Sequence, residues 1–141
     1  MGVNFLLIKL KFYMKMEFSI SLSGDFDNPE VELPNRKTKA DELYSESPLF
    51  AFLVSIPHCI GEAFESVCKR EGVKLKDCKI KAVYELDEKQ FMLGYPVIRR
   101  IKVYISNKGC TIEEIKEMIN KVKKECPIYL SFQEKIEILP S

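Results

Sequence analysis

The chain has 141 residues and a mass of 16.4 kDa, enough for one domain whose core needs neither metal nor disulfide. Hydrophobic residues at 46% and charged residues at 30% exclude disorder and low-complexity behaviour. Lys+Arg 22 against Asp+Glu 21 gives a net charge of +1, so no overall field gathers nucleic acid or anionic lipid.

In chain order, residues 5–13 alternate Leu6, Ile8, Leu10 and Phe12 with Lys9 and Lys11, which predicts a strand. A second alternation, Phe18, Ile20 and Leu22 against Glu17, Ser19 and Ser21, predicts its hairpin partner about Met14–Lys15. Residues 24–46 carry Gly24, two prolines and many charges, and read as loop apart from a short strand at Val31–Leu33. Ser47-Pro48 then offers an N-cap and a first-turn proline. Ile60, Ala63, Phe64, Val67 and Cys68 give one apolar helical stripe, ended by Gly72. Pro57 falls inside this helix and predicts a kink or a break.

Cys78, Ile80, Ala82, Tyr84 and Leu86 mark a further strand, and Val97, Ile101, Val103 and Ile105 another. Thr111 with Glu114 forms a capping box that opens a second helix with the stripe Ile112, Ile115, Met118, Ile119 and Val122. Cys126-Pro127 stops it, and a strand near 135–139 closes the chain. The order is that of a single α+β domain over 1–141, a largely antiparallel sheet covered by two long helices.

The longest nearly unbroken apolar run, Pro48 to Pro57, is far short of the ~20 residues that cross a bilayer. The first residues lack a basic region and a small-residue cleavage site, so a cytoplasmic location is expected. Five cysteines fit a compartment where thiols stay reduced. Lys79, Lys81, Arg99, Arg100 and Lys102 are the basic residues that could offer a nucleic-acid surface, but they read as the solvent face of strands, with no nucleic-acid partner expected. One histidine and no Cys-x-x-Cys pair argue against a metal site, and no glycine-rich phosphate loop or Gly-x-Ser-x-Gly is present.

Cysteine remains. Cys68 and Cys78 fall on apolar faces and read as small core residues, whereas Cys110 precedes a helix cap and has no assigned role. Were Pro57 to begin a fresh helical segment, Cys59 would stand in its first turn, where free amides and the positive dipole end favour a thiolate. A protonated His58 beside it would act in the same direction. Pro127 pre-sets another helix start and makes the Cys126 sulfur an N-cap acceptor. From these residues alone, two buried thiols are an equal reading.

These positions resemble the OsmC/Ohr family of thiol-dependent hydroperoxide reductases. Ser47-Pro48-Leu49 is similar to that family's entry to its central helix, with the proline eleven residues before Cys59. Gly72 and Leu75 match the Gly-x-x-Leu that closes the helix, and Cys126-Pro127 resembles the resolving Cys-Pro. The similarity covers about residues 47–139. It implies an OsmC-like fold in an intertwined homodimer with active sites at the interface. It implies further that Cys59 attacks a peroxide and Cys126 resolves the sulfenic acid, with His58 beside them.

No resident cofactor or metal is implied, only an external dithiol reductant. Phe50, Phe52 and Phe64 would favour a small hydrophobic peroxide. The family's carboxylate after the helix-entry proline is replaced by Leu49-Phe50, and its hairpin arginine is absent; Arg36 is the candidate for that charge. Without such groups a buried cysteine has a raised pKa. The alternative is a family member without peroxidase activity that binds a small apolar ligand or carries sulfur on Cys59.

Overall fold

Apolar–polar alternation builds the sheet, beginning with β1 (Glu17–Ser23), which buries Ile20 and Leu22. The computed structural model describes residues 16–141; the expected strand over 5–13 and the turn at Met14–Lys15 lie outside them. The stretch 24–46, expected to be mostly loop, is a hairpin and a helix. β2 (Glu30–Leu33) pairs with β3 (Arg36–Lys39), Leu33 opposite Arg36, and α1 (Ala40–Glu46) follows at once.

Two physical features hid this correction. Pro34 opens the two-residue connection and holds φ at about −65°, which excludes the Asn-Gly type of turn that marks hairpins in sequence. β3 reads Arg-Lys-Thr-Lys at the sheet edge, so it has no apolar alternation to detect.

α2 (Pro48–Glu71) begins as expected, with the Phe50 amide donating to Ser47 Oγ at 3.1 Å and Pro48 in the first turn. Gly72 ends it at φ 73°, a left-handed conformation that disfavours any side chain. Of the kink or break expected at Pro57, the break does not occur; the helix is continuous for 24 residues. Proline there deprives the Leu53 carbonyl of its helical donor. The buried Tyr84 hydroxyl donates to that carbonyl instead. A contact from the sheet thus replaces the missing helical bond.

By length and composition α2 is also apolar enough to cross a membrane, yet its stripe of Ile60, Phe64, Val67 and Cys68 is buried in the core. At Gly61 a β-carbon would stand 2.9 Å from Phe26 and 3.2 Å from Ile80, so the helix lies close on the sheet.

β4 (Lys79–Leu86) buries Ile80, Ala82, Tyr84 and Leu86, and α3 (Glu88–Met92), capped by Asp87, occupies the connection to β5 (Ile98–Ser106). α4 (Ile112–Glu125) opens with the capping box intact, at 2.9 and 3.1 Å. It buries Ile115, Met118, Ile119 and Val122, while Ile112 stays exposed. α5 (Pro127–Ser131) follows, and β6 (Ile136–Pro140) closes the described residues apart from Ser141.

Among the described residues the sheet has six strands, in the order β3-β2-β1-β4-β5-β6. Every pair is antiparallel except β5–β6, which is parallel. α2 packs on β1 and β4, and α4 packs on β6 and α2, so both long helices cover the same apolar face. The α+β architecture with a largely antiparallel sheet is therefore as expected.

Candidate functional site

The continuity of α2 changes the argument for Cys59. It is the twelfth residue of the helix rather than a first-turn residue, so its own helix supplies no free amides. The amide that does reach it comes from elsewhere: Ile128, in the first turn of α5, donates its backbone N–H to the Cys59 sulfur. Pro127 starts α5 as expected, but Cys126 makes no side-chain cap bond. The Cys126 sulfur instead faces Cys59 at 4.0 Å, a thiol–thiol contact across sixty-seven residues. Cys59 is half-buried and Cys126 fully buried, and both thiols are free.

Burial is the main force on Cys59 and pushes its thiol up to about 11. The Cys126 sulfur adds to the rise, the Ile128 amide opposes it, and Glu62 raises it slightly further. Among the described residues no lysine or arginine counters this rise.

His58 does not turn towards the sulfurs in the hydrogen bonds it makes. Its Nε2 meets the Phe26 carbonyl at 2.6 Å, and its Nδ1 meets the Tyr44 hydroxyl at 2.6 Å. A carbonyl only accepts, so Nε2 carries the hydrogen, and in the neutral ring Nδ1 accepts from the phenol. Glu62 Oε1 lies 4.0 Å from Nε2. Tyr44 itself is pushed up to about 12, first by burial, then by Glu62 and by Cys59. The phenol therefore remains protonated and stands within the electrostatic reach of the sulfur.

The aromatic residues divide. Phe52 is exposed and seven residues before Cys59, which places both on one helical face about 10 Å apart. Phe50 is half-buried beneath Arg36, whose guanidinium lies 5.9 Å from the ring centre. Phe64 is fully buried in the core, where a ligand reaches it only by displacing packed side chains. Arg36 is engaged by Glu46 through two bonds of 3.1 and 2.8 Å at the entry to α2. Neither Tyr44 nor Glu46 stood out in the sequence, because both belong to a helix inside the stretch read as loop.

Of the remaining cysteines, Cys68 lies farther along α2, Cys78 just before β4 and Cys110 just before the cap of α4. Cys68 and Cys78 are buried and both pushed up to about 12, burial being the largest cause. Cys110 is half-buried, receives Asn107 Nδ2 at 3.3 Å, and is raised by burial. Among the basic residues on the open strand faces, Arg99 and Lys102 are both paired with Glu85, at 3.1 and 3.3 Å.

Fold and site together define a two-layer α+β protein in which a helix-borne cysteine meets a second cysteine that precedes a short helix. Residues 41–140 match the OsmC-like protein family, and the chain belongs to it. The fold is similar to an OsmC-like hydroperoxide resistance protein from Jannaschia sp. CCS1, at 14% identity and TM-score 0.58 over 83% of this chain and 85% of that one. It is also similar to an organic hydroperoxide resistance protein from Elizabethkingia anophelis, at 20% identity and TM-score 0.53 over 86% and 92%. A hypothetical protein from Aquifex aeolicus VF5 matches at 16% identity and TM-score 0.56, again over 86% and 92%. No curated protein matches the chain.

Proposed function

We propose that the protein is a thiol-dependent peroxidase for organic hydroperoxides, with Cys59 as the attacking sulfur and Cys126 as the resolving one. The observation that carries this reading is the 4.0 Å contact between the two sulfurs. In the reaction, the Cys59 thiolate attacks the terminal peroxide oxygen, the O–O bond breaks, and the alcohol leaves. Cys126 then displaces water from the sulfenic acid, forming a disulfide that an external dithiol reduces. No resident cofactor or metal takes part.

Exposed apolar side chains support a hydrophobic peroxide and a homodimer whose second copy covers this face: Leu49 and Phe52 on α2, Leu130 on α5, and Phe132 just beyond it. Such a protein would work in the cytoplasm, reduced by a cellular dithiol, with neither membrane nor nucleic acid as partner. A second reading draws on the raised Cys59 thiol and on Arg36 being held by Glu46. In it, the cleft binds a small apolar ligand or carries sulfur on Cys59 without peroxidase turnover.

Intact-mass analysis after one equivalent of a bulky alkyl hydroperoxide separates the two. Rapid loss of a hydrogen pair, mapped to Cys59–Cys126 and absent in Cys59→Ser, is the expected result. Slow, unselective oxidation of all five thiols would overturn it in favour of the second reading.

A further inference from the structure

Where β1 ends and β4 begins, the sheet and the turns beside it enclose a cleft of about 640 Å³, the size of a small-molecule site. Its lining residues come from β1, β4, β5, the neighbouring turns and Glu65 of α2, and the Cys59–Cys126 pair is not among them. The cleft is therefore separate from the thiol site, and what it binds does not depend on the peroxidase reading.

Its polar groups are donors in a fixed arrangement. Ser23 of β1 stands opposite Lys79 of β4, and Lys79 stands opposite Ser106 of β5. Cross-strand partners share a face of the sheet, so a hydroxyl, an ammonium and a second hydroxyl form one row at strand spacings of about 4.8 Å. All three line the cleft. Lys76 and Lys108 line it as well, from two loops that are clamped together. The Lys108 amide donates to the Lys76 carbonyl at 2.9 Å, and the Lys76 amide donates to Asn107 Oδ1 at 2.8 Å. Asn107 is only 5% exposed, so the clamp is sheltered from water.

Two carboxylates stand against these three lysines: Asp77, whose Oδ2 lies 3.7 Å from Lys108 Nζ, and Glu65. The lining thus keeps a positive excess. Residues 1–15 hold three lysines and neither Asp nor Glu, so they bring no negative charge to offset it. We propose that this cleft binds a phosphate monoester with an apolar body. A phosphate carries about −1.5 to −2 at pH 7 and three acceptor oxygens, which match a row of two hydroxyls and an ammonium flanked by two further lysines. A carboxylate has one charge and two oxygens, and leaves part of that row unmatched. Leu75 and the buried Phe26 supply the apolar part of the lining for the body of the ligand.

The test is calorimetric titration of the reduced full chain with phenyl phosphate, inorganic phosphate and benzoate at about 0.15 M salt. Phenyl phosphate is expected to bind with a Kd below about 1 mM. Inorganic phosphate, lacking the apolar body, should bind about tenfold more weakly, and benzoate more weakly than phenyl phosphate. Lys79→Gln should weaken phenyl phosphate about tenfold. Lys124→Gln, an equal loss of charge at the end of α4, should leave it unchanged.

A gain of binding guards against a variant that merely misfolds. Asp77 holds a left-handed φ of 47°, which asparagine also adopts readily, and Asp77→Asn removes the carboxylate that competes for Lys108. Its affinity for phenyl phosphate should rise about threefold. No saturable binding in wild type overturns the proposal, as does an equal loss in Lys79→Gln and Lys124→Gln or a weaker Asp77→Asn. Equal affinity for benzoate or for inorganic phosphate overturns the assignment to a phosphate monoester. None of these outcomes touches the peroxide chemistry of Cys59, which is read separately by the disulfide mapping described above.

Discussion

Cys59 and Cys68 lie on the same helix, nine residues and half a turn out of phase, and the chain treats them differently. Cys68 faces the sheet, wholly buried, with Cys78 and Cys110 near enough to act on its charge. Cys59 is half-buried and meets the Cys126 sulfur and the Ile128 amide. Both thiols are raised, chiefly by burial. What separates them is access and the hydrogen-bonding groups at hand, so a high thiol pKa alone does not distinguish a core cysteine from a working one.

The sharpest way to break this contrast is alkylation of the reduced native protein. Cys59 should react about a thousandfold faster than Cys68 and Cys78, whose exposure requires extensive opening of the core. Peptide mapping after a brief iodoacetamide pulse reads this directly, and comparable labelling of all three would dissolve the distinction.

The pH dependence comes next. Cys59 titrates near 11, so its thiolate fraction, and with it the alkylation rate, should rise about tenfold per pH unit from 7 to 9. A plateau already at pH 7 would mean that the sulfur is anionic and that the assembled protein supplies a cation.

The third prediction concerns the loop that holds Cys110. Asn107, almost wholly buried, ties Lys74, Lys76 and Gly109 to this loop through bonds of 2.8 to 3.2 Å. A β-carbon at Gly109 would stand 2.2 Å from the Lys74 carbonyl oxygen. Gly109→Ala should therefore cost about 3 kcal/mol in a urea titration, with Cys110 labelling faster and Cys59 unchanged.

The smallest effect belongs to the other end. Tyr84→Phe leaves the Leu53 carbonyl without a donor and should cost about 2 kcal/mol. Adding Pro57→Ala restores a helical N–H to that carbonyl and should recover about 1 kcal/mol. Strictly additive losses in this pair of variants would show that the two residues do not share the carbonyl.

Much of the frame was legible because its signals are local. Period-two alternation marked β1, β4 and β5, and the Ser47, Gly72 and Thr111–Glu114 caps set the helix ends. The Cys59–Cys126 pair was reachable only through family resemblance, since no local rule links residues sixty-seven apart. The β2–β3 hairpin and α1 were missed because Pro34-Asn35 is an unmarked turn and β3 is a polar edge.

The break at Pro57 was expected for a sound reason and averted by Tyr84, a partner in another element. Tyr44 escaped with α1. Its importance lies in a bond to His58, which is a tertiary contact with no signature in spacing.

The carbonyl that Pro57 sets free also has a mechanical meaning. Four residues before the proline and six before Cys59, it fastens the central helix to the middle of the sheet at one point. Sliding that helix by a turn, as packed helices do in shear motions, would strand a buried oxygen and a buried phenol together. The rod is thus pinned rather than merely greased in place, and the sulfur just beyond the pin inherits a fixed address along the helix axis.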